Sequence, residues 1–179
     1  MKRKCAVCKE EFEKQRMGQK CCSPVCAMKY ARSQSEKADR KLTKERKDAI
    51  KTRSDWLKEA QHAFNAYIRM RDQLNNYPCI SCGRHHSGVL HAGHYRSVGA
   101  APHLRFDEDN VHLQCAPCNL YKSGNAIEYR IQLVLRIGKA RVERLESDAS
   151  VKKWSIDEIK QIKDDYRRKL KELTTGGIE

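Results

Sequence analysis

The chain has 179 residues, 34% of them charged and 39% hydrophobic, and its 37 Lys and Arg against 23 Asp and Glu give a net charge of +14. No apolar run approaches the ~20 residues of a membrane-spanning helix, and 7% aromatic residues are few for one sizeable core, so small units are expected. The N-terminus, Met1-Lys2-Arg3-Lys4-Cys5, has no apolar segment behind it to make a secretory signal, so cytoplasmic residence is expected, and nine cysteines in a reducing compartment argue for thiolate metal ligands over disulfides.

The first element is a small zinc finger over residues 1–33, in which Cys5-x-x-Cys8 pairs with Cys22-x-x-x-Cys26. Cys21 is the spare thiol, although a Cys21-x4-Cys26 pair also has ligand spacing; Cys22-Ser23-Pro24-Val25-Cys26 has the tighter turn chemistry because proline pre-sets its own φ. Such a module either touches DNA or caps the fold. Residues 34–76 follow as a basic and then amphipathic helical segment, with neither Gly nor Pro between Ala31 and Asn76. From Met28 to Arg53 there are ten Lys or Arg against four Asp or Glu, the composition of a solvated helix or linker. From Ser54 onward Leu57, Ala60, Phe64, Tyr67, Ile68 and Leu74 recur at helical intervals beside Trp56. That face is expected to be buried, against either the next module or a second subunit.

Residues 77–140 carry the chemistry. Cys79-x-x-Cys82 and Cys115-x-x-Cys118 are two knuckles with 32 residues between them, and together they supply four tetrahedral thiolates for a second structural zinc. A site of this kind contributes on the order of 10–16 kcal/mol of apparent folding energy. Between the knuckles, Val89-Leu90-His91-Ala92-Gly93-His94-Tyr95 reads as one strand and Asn110-Val111-His112-Leu113-Gln114 as a second, with a helix starting at Cys115. Gly124-Asn125 leads into a short amphipathic helix from Ala126 to Arg136 that stops near Gly138. Residues 141–179 hold a last helix and a tail. Ser155-Ile156-Asp157-Glu158 fits a capping box, and Ile159, Ile162, Tyr166, Leu170 and Leu173 form one apolar stripe for core packing or dimerisation; the tail from Thr174 is expected to be loose.

A strand-borne His94, a central Asn110 and an Asn119 directly after the last zinc cysteine resemble the HNH, or His-Me finger, nucleases over roughly residues 77–130. The fold class expected is α+β: a zinc-stabilised ββα-metal core with long flanking helices and an N-terminal zinc finger. The resemblance implies that His94 is the general base that deprotonates the attacking water, which suits an imidazole with a pKa near ~6.5. It implies that Asn119 holds a divalent cation, Mg2+ or Mn2+, on the scissile phosphate, and that Asn110 braces the loop. Many members place an aspartate metal ligand just before the catalytic His, whereas here that position is Gly93. Residues two apart on a strand share a face, so His91 is the first candidate for the missing ligand. Asp107 and Asp109 come next, and some members use an Asn as the main protein ligand. His91 as a DNA contact is the alternative. His103 and His112 are given phosphate contacts at most.

A wider match, carried by Leu90-His91-Ala92-Gly93-His94-Tyr95-Arg96-Ser97, Leu104-Arg105-Phe106, Asn110-Val111-His112-Leu113-Gln114-Cys115 and Gly124-Asn125 together with the N-terminal cysteines, closely resembles the phage lambda recombination protein family called NinG or Rap. It runs nearly the whole length. Phage endonuclease VII, with the same zinc-knuckle frame, is a more distant likeness. The family implies a structure-selective endonuclease for branched DNA, the four-way (Holliday) junction and the D-loop, in the cytoplasm of a phage-infected bacterium. A four-way junction is approximately two-fold symmetric and paired incisions need two active sites, so a homodimer is expected. The charge of +14 suits nucleic acid through counterion release without selecting sequence. The competing expectation is a non-catalytic zinc-finger nucleic-acid-binding protein, and an RNA-processing nuclease would share the chemistry.

Overall fold

The computed structural model describes residues 2–175; the tail beyond Thr175 lies outside the described residues. Two compact units divide between Lys51 and Thr52.

In the first unit, β1 (Lys2–Lys4) and β2 (Glu11–Glu13) pair antiparallel, Lys2 opposite Glu13. The Cys5 knuckle between them is closed by Cys5 N donating to Glu10 O (2.9 Å) and Lys9 N to Cys5 O (3.1 Å), with Lys9 in the left-handed region at φ 67°. Helix α1 (Pro24–Ala49) starts where the sequence says it can: Pro24 takes the first turn, which needs no N–H partner, and Ser23 Oγ caps it by accepting from Cys26 N at 3.3 Å. None of its residues is buried. The basic run is therefore a solvated helix, laced by i,i+4 pairs such as Arg32 with Glu36.

The second unit begins with α2 (Arg53–Leu74), opened by a reciprocal capping box between Thr52 and Asp55. That box divides the helical segment expected across 34–76 close to where its pattern changes from basic to amphipathic, because Thr52 and Asp55 satisfy the orphan N–H groups of a new first turn. A hairpin follows, β3 (Leu90–His94) against β4 (Val111–Cys115), in the register Leu90 opposite Cys115, His91 opposite Gln114, Gly93 opposite His112 and His94 opposite Val111. After it come one wide helical turn at Pro117–Tyr121, α3 (Ala126–Ile137), α4 (Lys139–Ser147) and α5 (Ile156–Thr175). Helix α4 was not expected from the sequence. Gly138, at φ 86°, ends α3 and lets the chain re-enter a helix at once.

The apolar faces of α2 and α5 meet each other. Trp56, Ala60, Phe64 and Ile68 pack with Ile159 and Tyr166, and Ala92 and Val111 add one face of the hairpin. Phe64 is fully buried, with edge-to-face contacts to Tyr166 (4.7 Å) and Phe106 (5.7 Å). A second core joins Ile80 and Leu104 to Tyr129 and Leu133 of α3 and Val142 and Leu145 of α4. Ile159, Ile162 and Tyr166 of the α5 stripe and the α2 face from Trp56 to Ile68 are thus core within one chain, whereas Leu74, expected on that face, is 57% exposed, and Leu170 and Leu173 lie outside the cluster. The Ser155–Glu158 box forms, with Glu158 N on Ser155 Oγ and Ser155 N on Glu158 Oε2.

A buried polar cluster pins α2 to the hairpin. Asp72, fully buried, accepts from Leu113 N (2.7 Å) and Arg71 Nε (2.8 Å), with His112 Nδ1 at 3.6 Å and Arg136 Nη1 at 3.7 Å. Burial works against its charge, but the neighbouring His112 and the Arg71 guanidinium prevail and hold the carboxyl down at about 2. This corrects the expected phosphate contacts. His112 is buried, its Nε2 on Asp109 O, and the His103 side chain is largely enclosed, its Nε2 on Asp148 O, so neither reaches a phosphate.

Candidate active site

Both cysteine quartets assemble. The sulfurs of Cys5, Cys8, Cys22 and Cys26 lie within 4.8 Å of one another, as do those of Cys79, Cys82, Cys115 and Cys118. Four thiolates around zinc at ~2.3 Å form a tetrahedron with edges of about 3.8 Å. The separations found are 3.5 Å for Cys8 to Cys22, 3.8 Å for Cys22 to Cys26 and 4.0 Å for Cys82 to Cys115, so both sets fit zinc. Cys21 is buried and stands outside the first quartet. Backbone N–H groups favour the thiolate at one cysteine of each quartet, whereas Cys8, Cys22, Cys82 and Cys118 are raised by burial and the neighbouring sulfurs. The Val7 N–H leads in holding Cys5 down at about 5, and at Cys79 burial is outweighed by the N–H groups of Cys115, Cys82 and Ser81.

His94 closes β3, four residue pairs along the hairpin from the Cys115 end. Its Nε2 lies 3.0 Å from the carbonyl of Arg105. A carbonyl only accepts, so Nε2 carries the proton and Nδ1 is left with its lone pair. Burial lowers its pKa, partly countered by the Arg105 carbonyl. The ring is neutral at pH 7 and held by one nitrogen, the state a proton acceptor needs.

Asn110 is fully buried just across the loop. Its Oδ1 accepts from Arg96 N (2.8 Å), its Nδ2 donates to Arg96 O (3.0 Å) and Leu104 O (3.1 Å), and its own carbonyl accepts from Tyr95 N (2.8 Å). It thereby ties the two residues after His94 to the segment that supplies the Arg105 carbonyl.

Asn119 sits on the wide turn Pro117–Tyr121, partly exposed, and its carboxamide makes no hydrogen bond among the described residues. The turn is anchored at Cys118, whose carbonyl accepts from Gly124 N at 3.1 Å. His91 lies on the hairpin face of Gly93 and Gln114, the face opposite to that of Ala92, His94 and Val111. Asp107 and Asp109 are both engaged by arginines: Arg144 reaches Asp107 (3.0 Å) and Asp109 (3.1 Å), and Arg141 pairs with Asp109. Among the described residues, no three His, Cys, Asp or Glu side chains gather as possible ligands outside the two cysteine quartets. A divalent cation near His94 would therefore rest on neutral oxygens.

A buried neutral oxygen on the Gly93 face of the hairpin escaped the sequence reasoning. A side chain at Gly93 would run into Gln114, its Cβ lying 2.9 Å from Gln114 Cδ and closer still to Oε1. Gln114 is fully buried, and its Oε1 has no hydrogen-bond partner. The available signal was positional: two residues before the zinc cysteine on β4, on the face of the unexpected glycine. An orphaned buried acceptor fits a bound cation, and carboxamide oxygens are ordinary ligands for Mg2+ and Mn2+.

The model of the family described as Bacteriophage Lambda NinG protein matches residues 1–176. The protein called Protein ninG of Escherichia phage lambda is 44% identical over 96% of this chain and 92% of its own length. Its namesake from Salmonella phage P22 is 45% identical over 96% and 93%, and that of Escherichia phage 933W is 42% identical over 99% and 96%. No solved structure matches the chain. With the family model covering nearly every residue and these relatives aligned along almost their full length, the chain belongs to the NinG family of lambdoid phage proteins.

Proposed function

We propose that the chain is a metal-dependent endonuclease of the HNH, or His-Me finger, type that cuts branched DNA such as four-way junctions and D-loops. The hairpin β3–β4 with the wide turn and α3 is the ββα unit of this proposal. The observation that carries it is His94, anchored through Nε2 to the Arg105 carbonyl and kept neutral by its surroundings. Nδ1 takes the proton from the attacking water, while the anchored Nε2–H steadies the ring as charge develops. Asn110 keeps the Arg105 carbonyl and His94 in register through the loop it braces. The unpartnered carboxamide of Asn119 would hold a divalent cation, Mg2+ or Mn2+. When bound, such a cation stabilises charge on the phosphate oxygens and the departing 3′ oxygen.

The branched substrate rests on family likeness and on charge. Helix α1 exposes its basic residues throughout, which favours recognition through backbone and shape. Two copies, each with one site, would make paired incisions across a junction. The test is a side-by-side cleavage assay in Mg2+ with junction, linear duplex and single-stranded RNA. Cleavage of the junction well above the others supports the proposal. RNA cleavage would reassign the substrate, and binding of all three with no cleavage would leave the zinc-finger binding protein as the better account.

A further inference from the structure

We propose that Gln114 supplies a second protein ligand to the catalytic cation, its Oε1 occupying the space that a side chain at position 93 would otherwise fill. This rests on the nuclease proposal and assigns a residue that the sequence left unidentified.

The carboxamide of Gln114 cannot turn. Its Nε2 donates to Ser81 Oγ and to Gly124 O, each at 2.6 Å. The Gly124 carbonyl only accepts, and the Ser81 hydroxyl spends its own proton on that same carbonyl at 3.1 Å, so both neighbours demand N–H groups from Gln114. A flipped amide would set its oxygen against the Gly124 carbonyl. Oε1 is thereby fixed on the opposite side, fully enclosed and without a donor, one of only two such atoms found among the described residues. A buried acceptor left unpaired costs about 1–3 kcal/mol, a cost that a coordinated cation removes.

Gly93 meets this oxygen from the other strand. Its φ is outside the left-handed region, so its backbone makes no demand for glycine; what demands it is Gln114, whose Cδ and Cβ would lie 2.9 and 3.1 Å from an added Cβ. The two residues act as one unit, with the oxygen carried on β4 and the room for it left on β3.

The same frame serves Asn119. The turn that bears it is closed by Gly124 N on Cys118 O, and the carbonyl of that Gly124 orients Gln114. Ser81 lies inside the Cys79–Cys82 knuckle. The second cysteine quartet therefore fixes both carboxamides through short covalent paths, the preorganisation a weakly bound hard cation requires.

The experiment uses full-length protein carrying two zinc ions, with Mn2+ binding followed by electron paramagnetic resonance and calorimetry. Gln114→Met keeps the shape and removes the oxygen, and it should weaken Mn2+ binding by about tenfold or more while zinc content and junction affinity hold. The double variant Gly93→Asp with Gln114→Ala returns an oxygen ligand from the other strand and should recover Mn2+ binding. It also keeps the proposal falsifiable if Gln114→Met fails to fold. Unaltered Mn2+ affinity in Gln114→Met, or a folded double variant that binds no Mn2+, overturns the assignment in favour of a buried water on Oε1. Those results leave the nuclease proposal standing if the unmodified protein cuts junctions; absence of both Mn2+ binding and cleavage in the unmodified protein sinks that proposal and this one with it.

Discussion

Replacing Asp72 by alanine removes the fully buried carboxylate of a cluster that joins α2, β4 and α3, leaving Arg71 only Glu108 at the cluster's edge. The Leu113 N–H loses its acceptor, and Arg71, Arg136 and His112 lose the charge they converge on. The native charge is favoured by the drop from 3.8 to about 2, which corresponds to about 2 kcal/mol. Because the folded pKa lies below the unfolded one, this contribution is complete above pH 3.8 and is lost only as pH falls through both values. Zinc thiolates protonate well before that, so the measurement belongs at pH 7. Breaking a buried pair from one side adds the unpaired partners, for a total of about 3–5 kcal/mol. In a unit of this size that lowers the Tm by roughly 10–15 °C. Urea unfolding and calorimetry of the zinc-loaded chain should show the loss. Asp72→Asn, which keeps an acceptor for Leu113, should retain part of it. A loss below about 1 kcal/mol in Asp72→Ala would refute the cluster as the clamp between α2 and the hairpin.

Other outcomes follow from the same geometry. Burial lowers the His94 pKa, so junction cleavage should rise with pH along an acid limb whose midpoint lies below 6.5; a midpoint above it would contradict the neutral, carbonyl-anchored ring. Cys21→Ser should leave two zinc ions per chain by elemental analysis, whereas Cys22→Ser should leave one, since only Cys22 stands in the first quartet. Asn110→Ala removes three buried side-chain hydrogen bonds and should cost about 2–4 kcal/mol, with cleavage falling further than stability alone explains. Neutralising Arg40, Lys41 and Lys44 of α1 should weaken DNA binding and reduce its salt dependence by about 0.9 per lost phosphate contact; an unchanged slope would take α1 out of the DNA interface.

What the sequence made legible was local. Cysteine spacing specified the two pairs of knuckles because zinc geometry tolerates few arrangements, but it left Cys21 and Cys22 both eligible, and only turn chemistry favoured Cys22, the one that joins the quartet. The alternation through Leu90–His94 and Val111–Cys115 announced the hairpin, and the stripe through Ile159 and Tyr166 announced α5. Features that depend on register stayed hidden. His112 looks like a surface histidine until β4 is set against α2 and Asp72 is found beside it. Gly93 looks like a lost ligand until Gln114 is seen filling its space. Helix α4, with only Val142 and Leu145 buried, has too short an apolar signal to stand out after a glycine that already reads as a stop. The break at Thr52 could have been found, since Thr52-x-x-Asp55 is a capping signature that the uniform charge around it obscured.

The most direct measurement is cleavage of a four-way junction in Mg2+ by the unmodified chain and by His94→Ala, with junction affinity determined for both. The account predicts incision by the first, none detectable by the second, and affinities within a factor of about two. Incision that survives the loss of this imidazole, or an unmodified chain that grips the junction and leaves every strand whole, would contradict it.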